Sequence, residues 1–169
     1  MRKEASFDKH WGDGWPDPER VKKCLLDPAV RTRLYERGRD GGSFSIDGLY
    51  GTEGLPARGG LVAVTLYMHF NPEYGIDLQY SKWDGRIQRA ETFHSRGNLD
   101  RLGQFVHSQH GTPLSLGLFI PFEQGAAAVQ QYLESEGELP SVIRWINGRD
   151  LPPETFPDPY PAKRDGSSA

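Results

Sequence analysis

The sequence predicts an α+β protein: a mainly antiparallel sheet built on a central three-stranded meander, with helices on one face. Three observations predict it. Residues 60–94 hold three strand-like runs joined by turns too short for the crossover that parallel neighbours need. Amphipathic helical periods flank that run instead of alternating with each strand. At 169 residues and 19.0 kDa the chain is long enough for one well-filled core.

Residues 1–150 are expected to form one domain, with 1–40 as a helical N-terminal arm, 43–146 as sheet and helices, and 151–169 as a proline-rich tail. Residues 1–16 show no periodicity, and Trp11 and Trp15 are expected to pin an irregular segment to the body. Two short helices follow, each opened by Asp-Pro, a cap followed by proline at the first helical position. Asp17-Pro18 opens one with Val21 and Leu25 inward; Asp27-Pro28 opens the next with Val30 and Leu34 inward, ending at Gly38. Residues 38–60 are glycine-rich around a strand-like SFSIDGLY. They lack the adjacent lysine-Ser/Thr pair of a phosphate loop and the Gly-x-Gly-x-x-Gly spacing after a strand, so turns around a leading strand are expected.

The meander comes next. Leu61 to Phe70 is rich in large apolar and β-branched residues, Asn71-Pro72-Glu73-Tyr74-Gly75 turns it, and Ile76 to Trp83 returns. Pairing Phe70 with Ile76 puts Val62, Val64, Leu66, Met68, Phe70, Ile76, Leu78 and Tyr80 on one face. It puts Thr65, Tyr67, His69, Asp77, Gln79 and Ser81 on the other. A slip of one residue would mix the two sets, which fixes the register. Asp84-Gly85 then reads as a two-residue hairpin turn into Ile87 to His94. That register sets Leu78 opposite Glu91 and Tyr80 opposite Arg89. Either the third strand is a bulged edge or those charges reach solvent past a short core.

Beyond the meander, Asn98 is expected to cap a helix with Leu99, Leu102, Phe105 and Val106 on one face. Leu114 to Ile120 reads as a buried strand closed by Pro121. Phe122, Ala126, Val129 and Leu133 define a further helix ending at Gly137, and Ser141 to Ile146 reads as a last strand containing Trp145. The tail is expected to lie extended over the surface before fraying.

Charge narrows the partners. Residues 1–40 carry ten basic and eight acidic side chains and the rest ten and fifteen, so the front is slightly positive and the body is acidic within a net charge of -3. Arg31, Arg33, Arg37 and Arg39 cluster at one helix end, but acidic residues are interleaved; a nucleic-acid module would be basic, and no nucleic-acid partner is expected. No run of about 18 apolar residues exists, so no membrane partner is expected. The N-terminal MRKEASFDKHWGDGW lacks an apolar leader core, and a cytoplasmic location is expected. The single Cys24 excludes a disulfide framework and a cysteine metal cluster.

Catalytic patterns are missing. There is no Gly-x-Ser-x-Gly elbow, no His-Glu-x-x-His, and no zinc-deaminase signature. His107-x-x-His110 at a helix end supplies two imidazoles without a third ligand, and favours capping of helix carbonyls over metal. His69 and His94, with Glu91 or Asp77 nearby, sketch an acid–base pair on the sheet. The alternative function is therefore a small hydrolase or transferase using those histidines. No nucleophile, base and orienting group assemble from the sequence, so no enzyme and no cofactor is expected. What remains is recognition by a surface: Tyr67, Tyr74, Tyr80 and Trp83 lie among charges, as interface anchors do. Glu73, Tyr74, Asp77, Trp83, Asp84, Arg86 and Glu91 are the candidate partner-binding residues, with Trp83 expected to be the most exposed anchor.

Residues 117–146, GLFIPFEQGAAAVQQYLESEGELPSVIRWI, follow a strand ending in Ile-Pro with an alanine-bearing helix and then Glu-Gly-x-Leu-Pro-x-x-x-x-Trp. With the preceding GIDLQYSKWDGRIQRAETF, this resembles the α+β immunity proteins of bacterial polymorphic toxin systems, the family first linked to deaminase toxins. The specific positions are Gly137, Leu139, Pro140 and Trp145, which read as a helix stop, a turn and a core tryptophan. Glu136-Gly137 stands where that family often has Thr-Gly, and the N-terminal arm lies outside the likeness. The resemblance implies a cytoplasmic inhibitor without catalytic residues or cofactor, whose partner is the C-terminal domain of a cognate secreted toxin.

Overall fold

The computed structural model describes residues 1–159 and has an α+β architecture. Strands β1 (Arg2–Phe7), β2 (His10–Asp13), β3 (Gly41–Asp47), β4 (Val62–Asn71), β5 (Gly75–Asp84), β6 (Arg89–Ser95) and β10 (Trp145–Asn147) form one antiparallel sheet in the order β10-β6-β5-β4-β3-β1-β2. A short β9 (Phe119–Ile120) adds to β5 beyond the end of β6, and β7 (Phe105–His107) and β8 (Pro113–Ser115) make a separate hairpin. Helices α1 (Pro18–Leu26), α2 (Pro28–Glu36) and α3 (Phe122–Glu134) complete the chain's regular elements among the described residues.

The two Asp-Pro signals work as caps. Asp17 accepts from the Glu19 N–H and Asp27 from the Ala29 N–H, 3.2 and 2.9 Å, each satisfying a helix-start donor. Asp27 also ends α1, donating its backbone N–H to the Lys23 carbonyl, so one residue separates the helices. Val21, Leu25 and Leu34 are buried, while Val30 is half-buried.

The β4–β5 register pairs Phe70 with Ile76, as the alternation requires. Val62, Val64, Leu66, Met68, Phe70, Ile76 and Leu78 are essentially sealed, facing α3 and its neighbour α1. Two tyrosines tie sheet to helix: Tyr132 of α3 donates to the Phe44 carbonyl at 2.8 Å, and Tyr80 of β5 donates to the Gly137 carbonyl at 2.9 Å. Gly137, at φ 91°, stops the chain directly over the sheet, and a Cβ there would meet Val64 and Ile46 at 2.7 and 2.9 Å. The Trp145 indole donates to the Pro140 carbonyl at 2.7 Å and sits edge-on to Tyr80, while Leu139 is at the surface. Gly125 is the closest approach of α3 to β5: a methyl there would lie 2.8–2.9 Å from Ile76 side-chain atoms. Gly125→Ala is expected to cost about 1–3 kcal/mol by overpacking, read as a lowered urea midpoint at unchanged slope.

Several expectations need correction. The first forty residues are not an appended helical arm, because β1 lies inside the sheet between β2 and β3. Its inward set, Lys3, Ala5 and Phe7, has too little apolar character to announce a strand. Trp15 packs half-buried against Phe44 and Tyr132, but Trp11 is 69% exposed on β2 and pins nothing. The second hairpin turns through Gly85–Gln88, not through two residues. Asp84 accepts both the backbone N–H and the guanidinium of Arg86, and Gln88 takes φ 53°, so Asp84 pairs with Arg89 and Tyr80 with Phe93. The shift is by an even number of residues, so every side chain keeps its face; Arg89 and Glu91 reach past the core and pair at 2.9 Å.

Residues 98–106 are not a helix. Asn98 caps only a single 3-10 turn over Leu99–Arg101, and Leu102 is drawn onto Gly117, leaving Phe105–His107 to pair as β7. Residues 114–120 are likewise two short strands separated by a 3-10 turn at Leu116–Leu118, and the final strand starts only at Trp145. The proline-rich segment folds back over the sheet as far as it is described, burying Leu151 and Thr155; the fraying expected of its end falls on residues outside the described ones.

Candidate functional site

With the helices all on one side, the other face of the sheet is open, and alternation fixes what it displays. The pairings place Trp11, Ser6, Ser43, Tyr67, Gln79 and His94 in one continuous row across six strands. A second row runs Asp13, Glu4, Ser45, Thr65, Ser81 and Thr92, with the Ser45 and Thr65 hydroxyls bonded at 2.9 Å. A third sets Gly41, His69, Asp77 and Phe119 side by side. The small residues of β1 and β3 leave the aromatic rings standing proud: Trp11 is 69% exposed and Tyr67 43%.

One end of this face is walled. Where β6 leaves β5 and β9 arrives, the Ser95 hydroxyl bridges the fork, accepting the Leu78 N–H and donating to the Leu118 carbonyl. The β7–β8 hairpin stands over that end through a small cluster of Leu114, Leu116 and Phe119 with Tyr74 against it. From the C-terminal segment, Phe156 lies 4.8 Å, ring to ring, from His94. The result is a cleft of about 360 Å³ with Tyr67, His69, Asp77, Gln79 and Ser81 from the strands, His94 beside them, and Thr112, Pro113, Leu114 and Phe156 around it. A second hollow of about 300 Å³ adjoins it, sharing Tyr67 and His69 and running to Trp11.

Burial sets the electrostatics of the cleft. Asp77 is buried at the cleft wall, its Oδ1 has no hydrogen-bond partner among the described residues, and desolvation pushes its carboxyl up to about 7. Desolvation pushes His94 down to about 4, and lowers His69 as well, with the Asp40 charge opposing and His110 assisting. The imidazoles are therefore neutral near pH 7. Among the described residues no hydrogen bond joins His69, Asp77 and His94 to one another or to a hydroxyl.

The seven residues singled out from the sequence do not form one patch. Glu73 is exposed and Tyr74 half-buried at one end of the ten-residue β4–β5 hairpin; Tyr74 packs edge-on to Phe119, and Arg101 lies over its ring. Trp83, Asp84 and Arg86 lie at the other end, about 30 Å away at strand rise. Trp83 is not the exposed anchor, for it is half-buried and its indole donates to the Ala57 carbonyl at 2.8 Å. The paired Arg86 guanidinium lowers Asp84 to about 2, making that pair a turn lock. Glu91 points to the helix side, and only Asp77 lies in the cleft. Tyr80 is core. The aromatic that sequence reasoning missed is Trp11; its alternation partner Asp13 and the Gly12 between them were the available signal of a short edge strand.

His107 and His110 share no helix. His107 ends β7, and His110, in the following turn, bonds the Gly38 carbonyl at 2.8 Å. Among the described residues no three His, Cys, Asp or Glu side chains are placed to hold a metal ion. Nor is any helix among the described residues long and apolar enough to cross a membrane. Set against protein-family models, curated proteins and solved structures, the chain finds no match in any of the three.

Proposed function

We propose that the chain is an immunity protein of a bacterial polymorphic toxin system, which acts in the cytoplasm by binding the C-terminal toxin domain delivered by a neighbouring cell and occluding its active site. The observation that carries this reading is the uncovered sheet face, where Trp11 and Tyr67 stand exposed in a row of small polar residues. Rigid aromatic anchors framed by hydroxyl and amide groups suit a protein partner. The Gly137, Leu139, Pro140 and Trp145 pattern supports the family, and Gly137, Pro140 and Trp145 make scaffold contacts, leaving the opposite face for recognition. The acidic body complements a toxin with a basic cleft, such as a nucleic-acid- or nucleotide-directed deaminase.

The test is co-expression with the toxin domain encoded immediately upstream. Survival of the host together with a stable one-to-one complex is the expected result; no rescue and no complex would refute the reading.

One observation favours a second reading. The cleft does bring both histidines and a carboxylate together, as a hydrolase or transferase would need. The missing hydroxyl–imidazole hydrogen bond counts against it. The variant His69→Gln/His94→Gln separates the two, since an enzyme loses all turnover while an inhibitor still forms a detectable complex with the toxin domain.

A further inference from the structure

The buried carboxylate in the cleft makes no hydrogen bond through its Oδ1 among the described residues. Among those residues no lysine or arginine lines the cleft around it. An unpaired acceptor at this depth is costly, and such a group normally has a partner that completes it. The surrounding groups specify that partner's shape. Gln79 adds a carbonyl, the uncharged imidazoles of His69 and His94 add ring-nitrogen acceptors without repelling a cation, and Tyr67 and Phe156 add flat aromatic surfaces. A planar, weakly hydrated cation with several in-plane donors satisfies all of these, whereas a compact ammonium satisfies only the charge.

We infer that the cleft is a socket for one guanidinium group, an arginine side chain presented by the bound protein, with Asp77 as its counter-ion. This rests on the inhibitor reading for the source of the arginine, not for the socket itself. Trp11 and Tyr67 then anchor the flat part of the interface while the arginine enters at the walled end, giving one deep contact beside a shallow one.

The test needs no toxin. The full-length chain, labelled with ¹⁵N, is titrated with Nα-acetyl-arginine amide and, separately, with the isosteric but uncharged Nα-acetyl-citrulline amide. Saturable shifts are expected at the Gln79 side-chain amide and the Ile76–Ser81 backbone, with citrulline weaker by about tenfold or more, the scale of one charge-assisted hydrogen bond. Asp77→Asn should lose the arginine response to a similar degree while the rest of its spectrum is unchanged. Equal shifts with citrulline, no shifts in the cleft, or an undiminished response in a folded Asp77→Asn would each overturn the socket. The arginine–citrulline contrast in the unmodified protein decides the matter even if that variant fails to fold. Arginine binding without toxin rescue would refute the inhibitor reading and leave the socket; rescue without arginine binding would refute the socket alone.

Discussion

Asp77→Asn is expected to make the protein more stable at pH 8 and less stable at pH 4. The carboxyl titrates at about 7 in the folded chain and near 3.8 when unfolded. Its contribution to stability is full below pH 3.8 and is lost as pH rises through about 7, because the folded state keeps a proton that the unfolded state has released. At about 1.4 kcal/mol per pH unit this loss amounts to roughly 4 kcal/mol by pH 8. An asparagine cannot ionise, but it leaves its own amide poorly satisfied at a cost of roughly 2 kcal/mol at every pH, so the variant gains roughly 2 kcal/mol at pH 8 and loses about that much at pH 4. His94 has the opposite sign: with its folded pKa lowered from 6.5 to about 4, its contribution is present above pH 6.5 and is lost as pH falls through about 4. Between pH 4 and 6.5 the two terms offset, and the unmodified protein should show a nearly flat stability profile there. Urea melts across pH 4–8 resolve the pair. Asp77→Asn should gain stability with rising pH through this window, and His94→Gln should lose it. A flat profile in both variants would contradict the buried-carboxyl assignment.

Tyr132→Ala should be among the most damaging single changes, lowering stability by roughly 3–5 kcal/mol, as truncation of a buried aromatic does. The side chain is fully buried, touches Tyr80 and Trp15 at ring distances of 6.2 Å, and fastens α3 to β3 through the Phe44 carbonyl. Tyr132→Phe keeps the ring and loses the hydrogen bond alone, at a cost of about 1 kcal/mol. A small loss for Tyr132→Ala in chemical denaturation would mean that α3 is not seated on the sheet as described.

The parts of the fold that were legible are those where one face is apolar and the other is not. β4 carries that contrast along most of its length and β5 from Ile76 to Ser81, so their register followed from the sequence alone, and the helices from Asp17, Asp27 and Phe122 announced themselves by cap and period. Legibility failed where long-range contacts overrode local pattern. The helical spacing of Leu99, Leu102, Phe105 and Val106 is real, but Leu102 is claimed by Gly117 and Phe105 by its strand pairing with Ser115. The β5–β6 turn was misjudged because Asp84-Gly85 is a strong two-residue signal, and only the Asp84–Arg86 contacts reveal the longer turn. β1 was invisible because both its faces are partly polar.

The same limit applies to the site. The opposed faces of β4 and β5 put Tyr67, His69, Asp77 and Gln79 together from sequence. The walls did not follow, because Pro113, Leu114 and Phe156 arrive from segments whose placement depends on the finished fold. Trp11 joined the row through a strand pairing that no periodicity predicted.

The most direct measurement is the protection assay with the double variant Trp11→Ala/Tyr67→Ala, carried beside Trp83→Ala/Asp84→Ala at the far end of the hairpin. Both side chains of the first pair are exposed, so its melting temperature should be unchanged, yet it should lose protection and bind the toxin domain at least about a hundredfold more weakly, as loss of two aromatic anchors implies. The second pair should retain binding in proportion to its remaining folded fraction. Full protection by a folded Trp11→Ala/Tyr67→Ala protein would contradict the assignment of the open sheet face as the recognition surface.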